Sequence, residues 1–279
     1  MEDVLRLHSE TLQYAAFFGL FASLGGLELW LSKEKAQRGQ RWRTNIALTV
    51  LCVLVIGALP VSAVIAADYA ATSQTGLLNI TDLPLIIALV VGVLLRSFLS
   101  YLTHVAFHRA PWLWRLHAVH HMDTDMDVTT AVRMHPFEFI VSAVFVLPCI
   151  VAFGIPVEAI ILYEILDAGM AVATHTNLRV PERIDRVLRW FLVTPTMHRI
   201  HHSAWQPETD SNFGATFSIW DHVFGTYRAA SRDGVAPARL GLEGGELTAC
   251  HHLGHLLALP VLGVPDSHDS QVNMHKGAG

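Results

Sequence analysis

Apolar residues fall into five long runs along the chain, and polar residues collect between them. The runs cover about residues 12–31, 45–67, 84–95, 137–153 and 157–174. A helix needs roughly 20 apolar residues to cross a bilayer core about 30 Å thick. The last two runs are separated only by Gly154, Ile155 and Pro156. The pattern predicts four to five membrane helices, the last two forming either a tight spanning hairpin or a re-entrant or interfacial pair.

Composition supports a membrane protein. The chain has 279 residues, of which 52% are hydrophobic and 15% charged, so an integral membrane protein is expected. The net charge of -5 provides no basic surface, so nucleic acid is not an expected partner. Cys52, Cys149 and Cys250 are too far apart for a C-x-x-C site, and we expect them to pack. The N-terminus lacks a basic segment and a cleavage signal, so we expect the first run to be retained.

Charged residues beside the runs predict an orientation. Five basic residues follow the first run, namely Lys33, Lys35, Arg38, Arg41 and Arg43. The loop expected at residues 68–81 contains no lysine or arginine. By the positive-inside rule, the first loop lies in the cytoplasm and the N-terminus lies outside. The ends of the third and fifth runs then lie on the cytoplasmic side.

Histidines cluster at these predicted cytoplasmic ends. His104 and His108 are four residues apart, and an H-x-x-H-H pattern occurs twice, as His117, His120 and His121 and as His198, His201 and His202. Residues at positions i, i+3 and i+4 share one face of a helix. Pro111 and the pair Thr194-Pro195 are helix-start signals, so both H-x-x-H-H segments are predicted to be helical.

Metal binding explains the clusters best. A lone histidine is usually a satisfied polar residue, but three adjacent imidazoles would repel each other when protonated, and a shared cation would stabilise them. His175, at the end of the fifth run, is expected to be a ninth ligand. Asp167 lies two turns earlier and is expected to orient a ligand imidazole, the alternative being a helix–helix hydrogen bond. The sequence leaves open whether further polar residues near these segments bind metal. Those at the boundary of the fourth run have an ordinary explanation as interfacial residues, and those near the C-terminus are expected at the surface: Arg133, His135 and Glu138, and His251, His252 and His255.

The ligand type limits the choice of metal. An all-imidazole set suits iron, zinc or copper and is poor for magnesium or calcium. Eight or nine imidazoles exceed the needs of one ion and suggest two. The E-x-x-H pairs of soluble carboxylate-bridged di-iron bundles are missing from the sequence. A non-enzymatic alternative is a histidine-rich membrane protein that binds or transports metal, although a transporter should place its ligands near the bilayer midplane.

Several segments carry a family resemblance in their order and spacing. They are S-Y-L-T-H-V-A-F-H-R, L-H-A-V-H-H, T-A-V-R-M-H-P-F-E, T-H-T-N, T-P-T-M-H-R-I-H-H-S and D-S-N-F-G-A-T-F-S-I-W-D-H-V-F-G-T-Y. Together they resemble the fatty acid hydroxylase / sterol desaturase superfamily over residues 85–227. Ala171 stands where some lipid hydroxylases of that superfamily have a second histidine.

The resemblance implies a membrane-bound non-haem di-iron oxygenase. It would use two iron ions, dioxygen and a separate electron donor, such as a ferredoxin, cytochrome or reductase, to hydroxylate or desaturate a sterol-like, fatty-acyl, ether-lipid or carotenoid substrate. The resemblance places the eight clustered histidines in the ligand positions and matches His175 to a further family histidine. Asp210, Asn212 and Asp221 match a family segment. They are expected either to contact the ligand histidines without binding the metal or to shape the loop.

The expected fold is an all-α integral membrane helical bundle with a cytoplasmic, histidine-rich helical cap. Residues 1–81 form the expected N-terminal transmembrane region, 82–230 the catalytic domain and 231–279 a loosely ordered tail. The short chain shows no fused cytochrome segment, so we expect a bacterial inner membrane first and the endoplasmic reticulum second.

Overall fold

The computed structural model describes residues 2–31, 38–243 and 249–264, and these residues are almost entirely helical. Short 3-10 turns lie at Val128–Val132 and Ala249–His251, and no named strand occurs in these ranges. The α-helices are α1 (Glu2–Leu31), α2 (Gly39–Ala58), α3 (Ala63–Thr72), α4 (Leu85–Arg109), α5 (Pro111–His121), α6 (Pro136–Phe153), α7 (Val157–His175), α8 (Glu182–Leu188), α9 (Pro195–His201), α10 (Gln206–Thr209), α11 (Ile219–Phe224) and α12 (Leu253–Leu262).

Four helical segments among the described residues are long and apolar enough to cross a membrane. They are Tyr14–Leu31, Gly39–Thr72, Leu85–Arg109 and Pro136–Phe153. Many of their large apolar side chains point outward, for example Ile86, which is 68% exposed. Lipid tails, unlike water, impose no penalty on such a surface. The expected all-α membrane bundle is therefore confirmed.

Two of the five predicted runs differ in detail from the structure. The run at 45–67 is not one continuous helix, because α2 ends at Ala58 and α3 begins after Pro60, which has no N–H to continue the helix. The fifth run forms α7, but that helix carries Glu158, Glu164 and Asp167 and is not among the four apolar segments.

The two ends of the bundle are distinct. At the far end, Gly154 ends α6 in the left-handed conformation, and the chain turns directly into α7, as the predicted hairpin requires. The backbone N–H of Leu77 donates to Ala152 there, which ties the loop before α4 to α6. At the opposite end, the near end, the Glu28 side chain of α1 accepts from the backbone N–H groups of Val128 and Asn177. The histidine segments all lie at this near end.

Part of the expected tail is ordered. Leu256 and Leu259 of α12 are fully buried and join a core cluster with Leu48 and Trp114. The expectation of a loosely ordered tail is wrong for residues 249–264, because α12 completes the apolar packing around α5. Residues 244–248 and 265–279 lie outside the described residues.

Arg41 does not act as a loop cation. It lies in α2, 1% exposed, and its guanidinium contacts the carboxylates of Asp123 and Asp127. Nearby, Arg133 donates to Asn45 and to the carbonyl of Val119. These bonds hold α2 against the segment that joins α5 to α6. Of the other basic residues used to predict orientation, Lys33 and Lys35 lie outside the described residues.

Candidate metal centre

Four helices bring the nine histidines together at the near end. The last two turns of α4 supply His104 and His108, and α7 ends at His175. The predicted helix starts are confirmed, since Pro111 is the first residue of α5 and the Thr194 side chain caps α9 by accepting from Met197. These two helices carry the H-x-x-H-H segments, His202 being the residue that ends α9.

The imidazoles form two groups. Within each group, one nitrogen from every ring lies within 4.8 Å of the corresponding nitrogens of the others. We call His104, His108, His117, His121 and His201 the first group, and His120, His175, His198 and His202 the second group. The groups adjoin, since the rings of His121 and His202 stack with centroids 4.5 Å apart.

Hydrogen bonds fix which nitrogen carries the proton in the first group. The Nδ1 of His104 lies 2.7 Å from the carbonyl oxygen of Phe213, and the Nδ1 of His117 lies 2.8 Å from Glu138 Oε1. These oxygens only accept, so both Nδ1 atoms donate and both Nε2 atoms carry lone pairs. Those two Nε2 atoms face each other at 3.0 Å. The Nδ1 of His201 likewise donates to Ser211, and its buried Nε2 has no hydrogen-bond partner.

In the second group, too, Nδ1 atoms donate to oxygen atoms and Nε2 atoms carry the lone pairs. The Nδ1 of His120 donates to the carbonyl of Arg133 at 3.2 Å, and the Nδ1 of His175 donates to the carbonyl of Ala171 at 2.6 Å. Their Nε2 atoms, which carry the lone pairs, are 3.1 Å apart, and the Nε2 atom of His198 lies 3.0 Å from that of His175. Facing lone pairs repel unless a proton or a cation lies between them.

Protonation is disfavoured in this site. Burial, followed by repulsion from neighbouring imidazoles, lowers the pKa of His120, His121, His198 and His202 well below its usual value. Burial lowers the pKa of His201 to about 3. Buried, neutral imidazoles with converging lone pairs are the donor set that a transition-metal cation needs. The residues therefore fit two metal ions, one in each group.

Two carboxylates touch imidazoles of the first group. Glu138, in the first turn of α6, accepts from His117, and Asp210 lies 3.3 Å from the Nδ1 of His108. Asp210 thus lies beside a predicted ligand imidazole, and its role in orienting that imidazole stays a prediction. The role of Glu138 was missed, because a polar residue at a span boundary has an ordinary explanation. Its place in the first turn of a helix that starts beside the histidines was the available signal.

Asn212 and Asp221 shape the loop after α10. Asp221 accepts from the backbone N–H groups of Phe213 and Gly214 at 2.7 and 2.8 Å. Asn212, with φ +55°, bonds the backbone of Met197 and Arg228. These bonds present the Phe213 carbonyl to His104, as the loop-shaping prediction requires.

Asp167 does not orient an imidazole. Its Oδ1 accepts from the hydroxyls of Tyr163 and Thr216, at 2.9 and 2.6 Å. The expectation of a contact with a ligand histidine is therefore not met. The alternative of a helix–helix hydrogen bond is not met either, because Tyr163 lies in α7 itself and Thr216 lies in the loop before α11. Among the described residues, the four histidines given no metal role lie outside both groups: His135, His251, His252 and His255.

A polar cavity of about 460 Å³ opens beside the first group. Its walls include Arg109, Asp210, Ser211 and Arg228. Asp210 and Ser211 also contact His108 and His201, so the cavity reaches the outer hydrogen-bond partners of the first group.

A family model described as fatty acid hydroxylase matches residues 89–226. The match is close to half of the chain and contains all nine histidines. No solved structure matches the chain.

Several curated proteins are similar to about half of the chain. Alkylglycerol monooxygenase of Caenorhabditis elegans is 32% identical over 50% of this chain and 26% of its own length. Ornithine lipid hydroxylase OlsE of Rhizobium tropici is 27% identical over 53% of this chain and 44% of its own. Human cholesterol 25-hydroxylase is 25% identical over 53% of this chain and 52% of its own length. The chain thus spans from about a quarter to half of these relatives.

The family match and the two histidine groups fall on one stretch of the sequence. Through this domain, the chain belongs to the fatty acid hydroxylase family.

Proposed function

We propose that this protein is a membrane-bound hydroxylase of a lipid, in which the nine histidines hold two iron ions. The observation that supports the proposal is the convergence of neutral imidazole lone pairs in two adjoining groups at one end of an apolar bundle. An all-imidazole set suits iron, and the domain belongs to a hydroxylase family. Bound iron would supply the activation of dioxygen and the oxidation of a C–H bond.

The protein itself would deliver the lipid and keep water away. α4 and α7 both run through the bundle and end in ligand histidines. A lipid chain that lies along their apolar surface is led from the bilayer to the two groups. Eight of the nine imidazoles are buried and His104 is half-buried, so little water reaches the reacting carbon.

Electrons and protons would arrive from the near end. Hydroxylation consumes one O2, two electrons and two protons for each oxygen inserted, and releases one water. We propose a separate donor protein, a ferredoxin, cytochrome or reductase, as the source of the electrons. The polar cavity at Arg109 and Asp210 supports a water-accessible supply of protons beside the first group.

The substrate class is proposed from the chemistry of the relatives' names. An ether lipid, an acyl-amino-acid lipid and a sterol are all long apolar molecules with one polar end, and a fatty-acyl or carotenoid chain shares the apolar part.

We favour hydroxylation over desaturation. Removing a second hydrogen requires a neighbouring C–H to be held close by, whereas hydroxylation needs only one carbon in place.

We propose that the near end faces the cytoplasm, in a bacterial inner membrane, with the endoplasmic reticulum as the second choice. The four basic residues after α1 other than Arg41 support this side, namely Lys33, Lys35, Arg38 and Arg43.

A lipid comparison tests the function. The gene is deleted in its host and restored either as wild type or as His198→Ala/His201→Ala, which removes one ligand from each group. We expect high-resolution mass spectrometry to show a precursor that accumulates without the enzyme and a product heavier by one oxygen with the wild type only. A product lighter by two hydrogens would indicate desaturation. An unchanged lipid extract, together with altered cellular zinc or iron, would contradict the proposal and favour a metal-handling protein.

A further inference from the structure

We infer that the two metal positions are electronically different, because among the described residues only the first group donates hydrogen bonds to carboxylates. This inference rests on the proposed two-metal centre. It assigns Glu138 and Asp210 as positioning residues that make the first position the tighter one and the one that better stabilises a more highly charged ion.

Glu138 is the stronger of the two partners. Its Oε1 lies 2.8 Å from His117 Nδ1, while its Oε2 is buried and accepts no hydrogen bond from the described residues. The charge of this carboxylate is therefore directed largely at one imidazole. A carboxylate that accepts from a ligand imidazole fixes its orientation and increases the basicity of its other nitrogen.

Asp210 adds a second negative charge on the same side. It lies 3.3 Å from the Nδ1 of His108 and also accepts from Gln206, and its side chain is 17% exposed. Its contact is longer and more solvated than that of Glu138, so we expect the smaller effect from it.

The second group has no such partner among the described residues. His120 and His175 donate to backbone carbonyls, which carry only partial charge. A cation in the second group is therefore compensated less than one in the first.

The two groups also differ in ligand number. Five imidazoles can fill most positions around one ion, whereas four leave more positions for other ligands. Charge and ligand number thus act in the same direction. The first position is the firmly held one, and the second is the one with room to bind a further group.

Zinc binding tests this difference without any turnover. The metal-free, full-length chain in detergent is titrated with zinc against a fluorescent chelator, and two dissociation constants are fitted. We expect Glu138→Gln, which keeps the shape and removes the charge, to weaken the tighter constant about tenfold or more and to leave the other unchanged. Glu182→Gln, on an exposed side chain of α8, is the matched control and should change neither.

Variants that lack ligands assign the constants. His104→Ala/His201→Ala removes two ligands from the first group, and His175→Ala/His198→Ala removes two from the second. Glu138→Gln should still weaken zinc binding when the second group lacks these ligands, and should have no effect on it when the first group lacks them. An equal effect in both backgrounds, or in neither, overturns the inference. Fewer than two zinc ions bound by the wild type would instead remove the two-metal proposal on which it rests.

Discussion

At the scale of single residues, the metal centre depends on side chains that touch no ligand directly. Asp221 holds the backbone of Phe213, and the carbonyl of Phe213 fixes the tautomer of His104. The Arg133 carbonyl does the same for His120, while the Arg133 side chain is anchored on Asn45. Each imidazole is oriented before any metal binds, which reduces the entropy lost on binding.

Residue spacing predicted which histidines would meet, but not which acids would orient them. The i, i+3, i+4 rule is local, so it identified the helix faces that carry the eight clustered histidines, whereas His175 was predicted from its place at the end of the fifth run. That the nine histidines hold iron stays a prediction. The hydrogen-bond partner of an acidic side chain depends on residues that are distant in the sequence. Thr216, 49 residues after Asp167, accounts for the contact that the sequence misassigned. Glu138 meets His117 only because α6 begins beside α5.

At the scale of helices, one very close contact between α4 and α7 determines how these two helices pack. Gly92 of α4 faces the start of α7, and a Cβ at this position would lie 2.8 Å from the Cβ of Ala159. Any side chain here would push apart the two helices that carry His104 and His175 at their other ends. The contact therefore sets the distance between ligand helices from a position well away from the metal centre.

We expect Gly92→Ala to destabilise the protein by about 1–3 kcal/mol, because the added methyl group overpacks this contact. Gly57→Ala is the matched control, since a Cβ there meets nothing within 4 Å and alanine favours a helix. Thermal unfolding in detergent should show a lower midpoint for Gly92→Ala only. Equal midpoints for the two variants would mean that the contact is not tight.

The extents of most helices followed from apolar runs and start signals, and the exceptions have physical reasons. Pro60 divides the second run because it cannot donate a backbone hydrogen bond. α12 escaped the sequence analysis because its short apolar segment contains Pro260 and lies near glycines. Its burial depends on the groove beside Trp114, which the sequence does not reveal.

At the scale of the whole molecule, the candidate metal ligands and the buried polar networks lie at one end of the bundle. The histidines, Glu28 and the Arg41 network lie at the near end, while residues 73–84 and 154–156 connect the helices at the far end. Alternating run directions predicted this arrangement, since each crossing reverses the chain. Which end faces the cytoplasm depends on the membrane and stays a prediction.

Cysteine labelling tests that orientation. The three native cysteines, Cys52, Cys149 and Cys250, form no disulfide with one another and are replaced first. Thr75→Cys then marks the far end and Ala230→Cys the near end, both at exposed positions. We expect a membrane-impermeant maleimide to label residue 230 only from the cytoplasmic side and residue 75 only from the opposite side. Labelling of both positions from one side would refute the predicted topology.

The metal content of the purified chain tests the central claim most directly. Full-length protein from aerobic, iron-supplied cells is assayed for iron and zinc by elemental mass spectrometry against its amino-acid content. We predict two iron ions per chain, falling to about one in His175→Ala/His198→Ala and in His104→Ala/His201→Ala alike. Iron well below one per chain, or a single exchangeable zinc that neither double variant removes, would contradict the account.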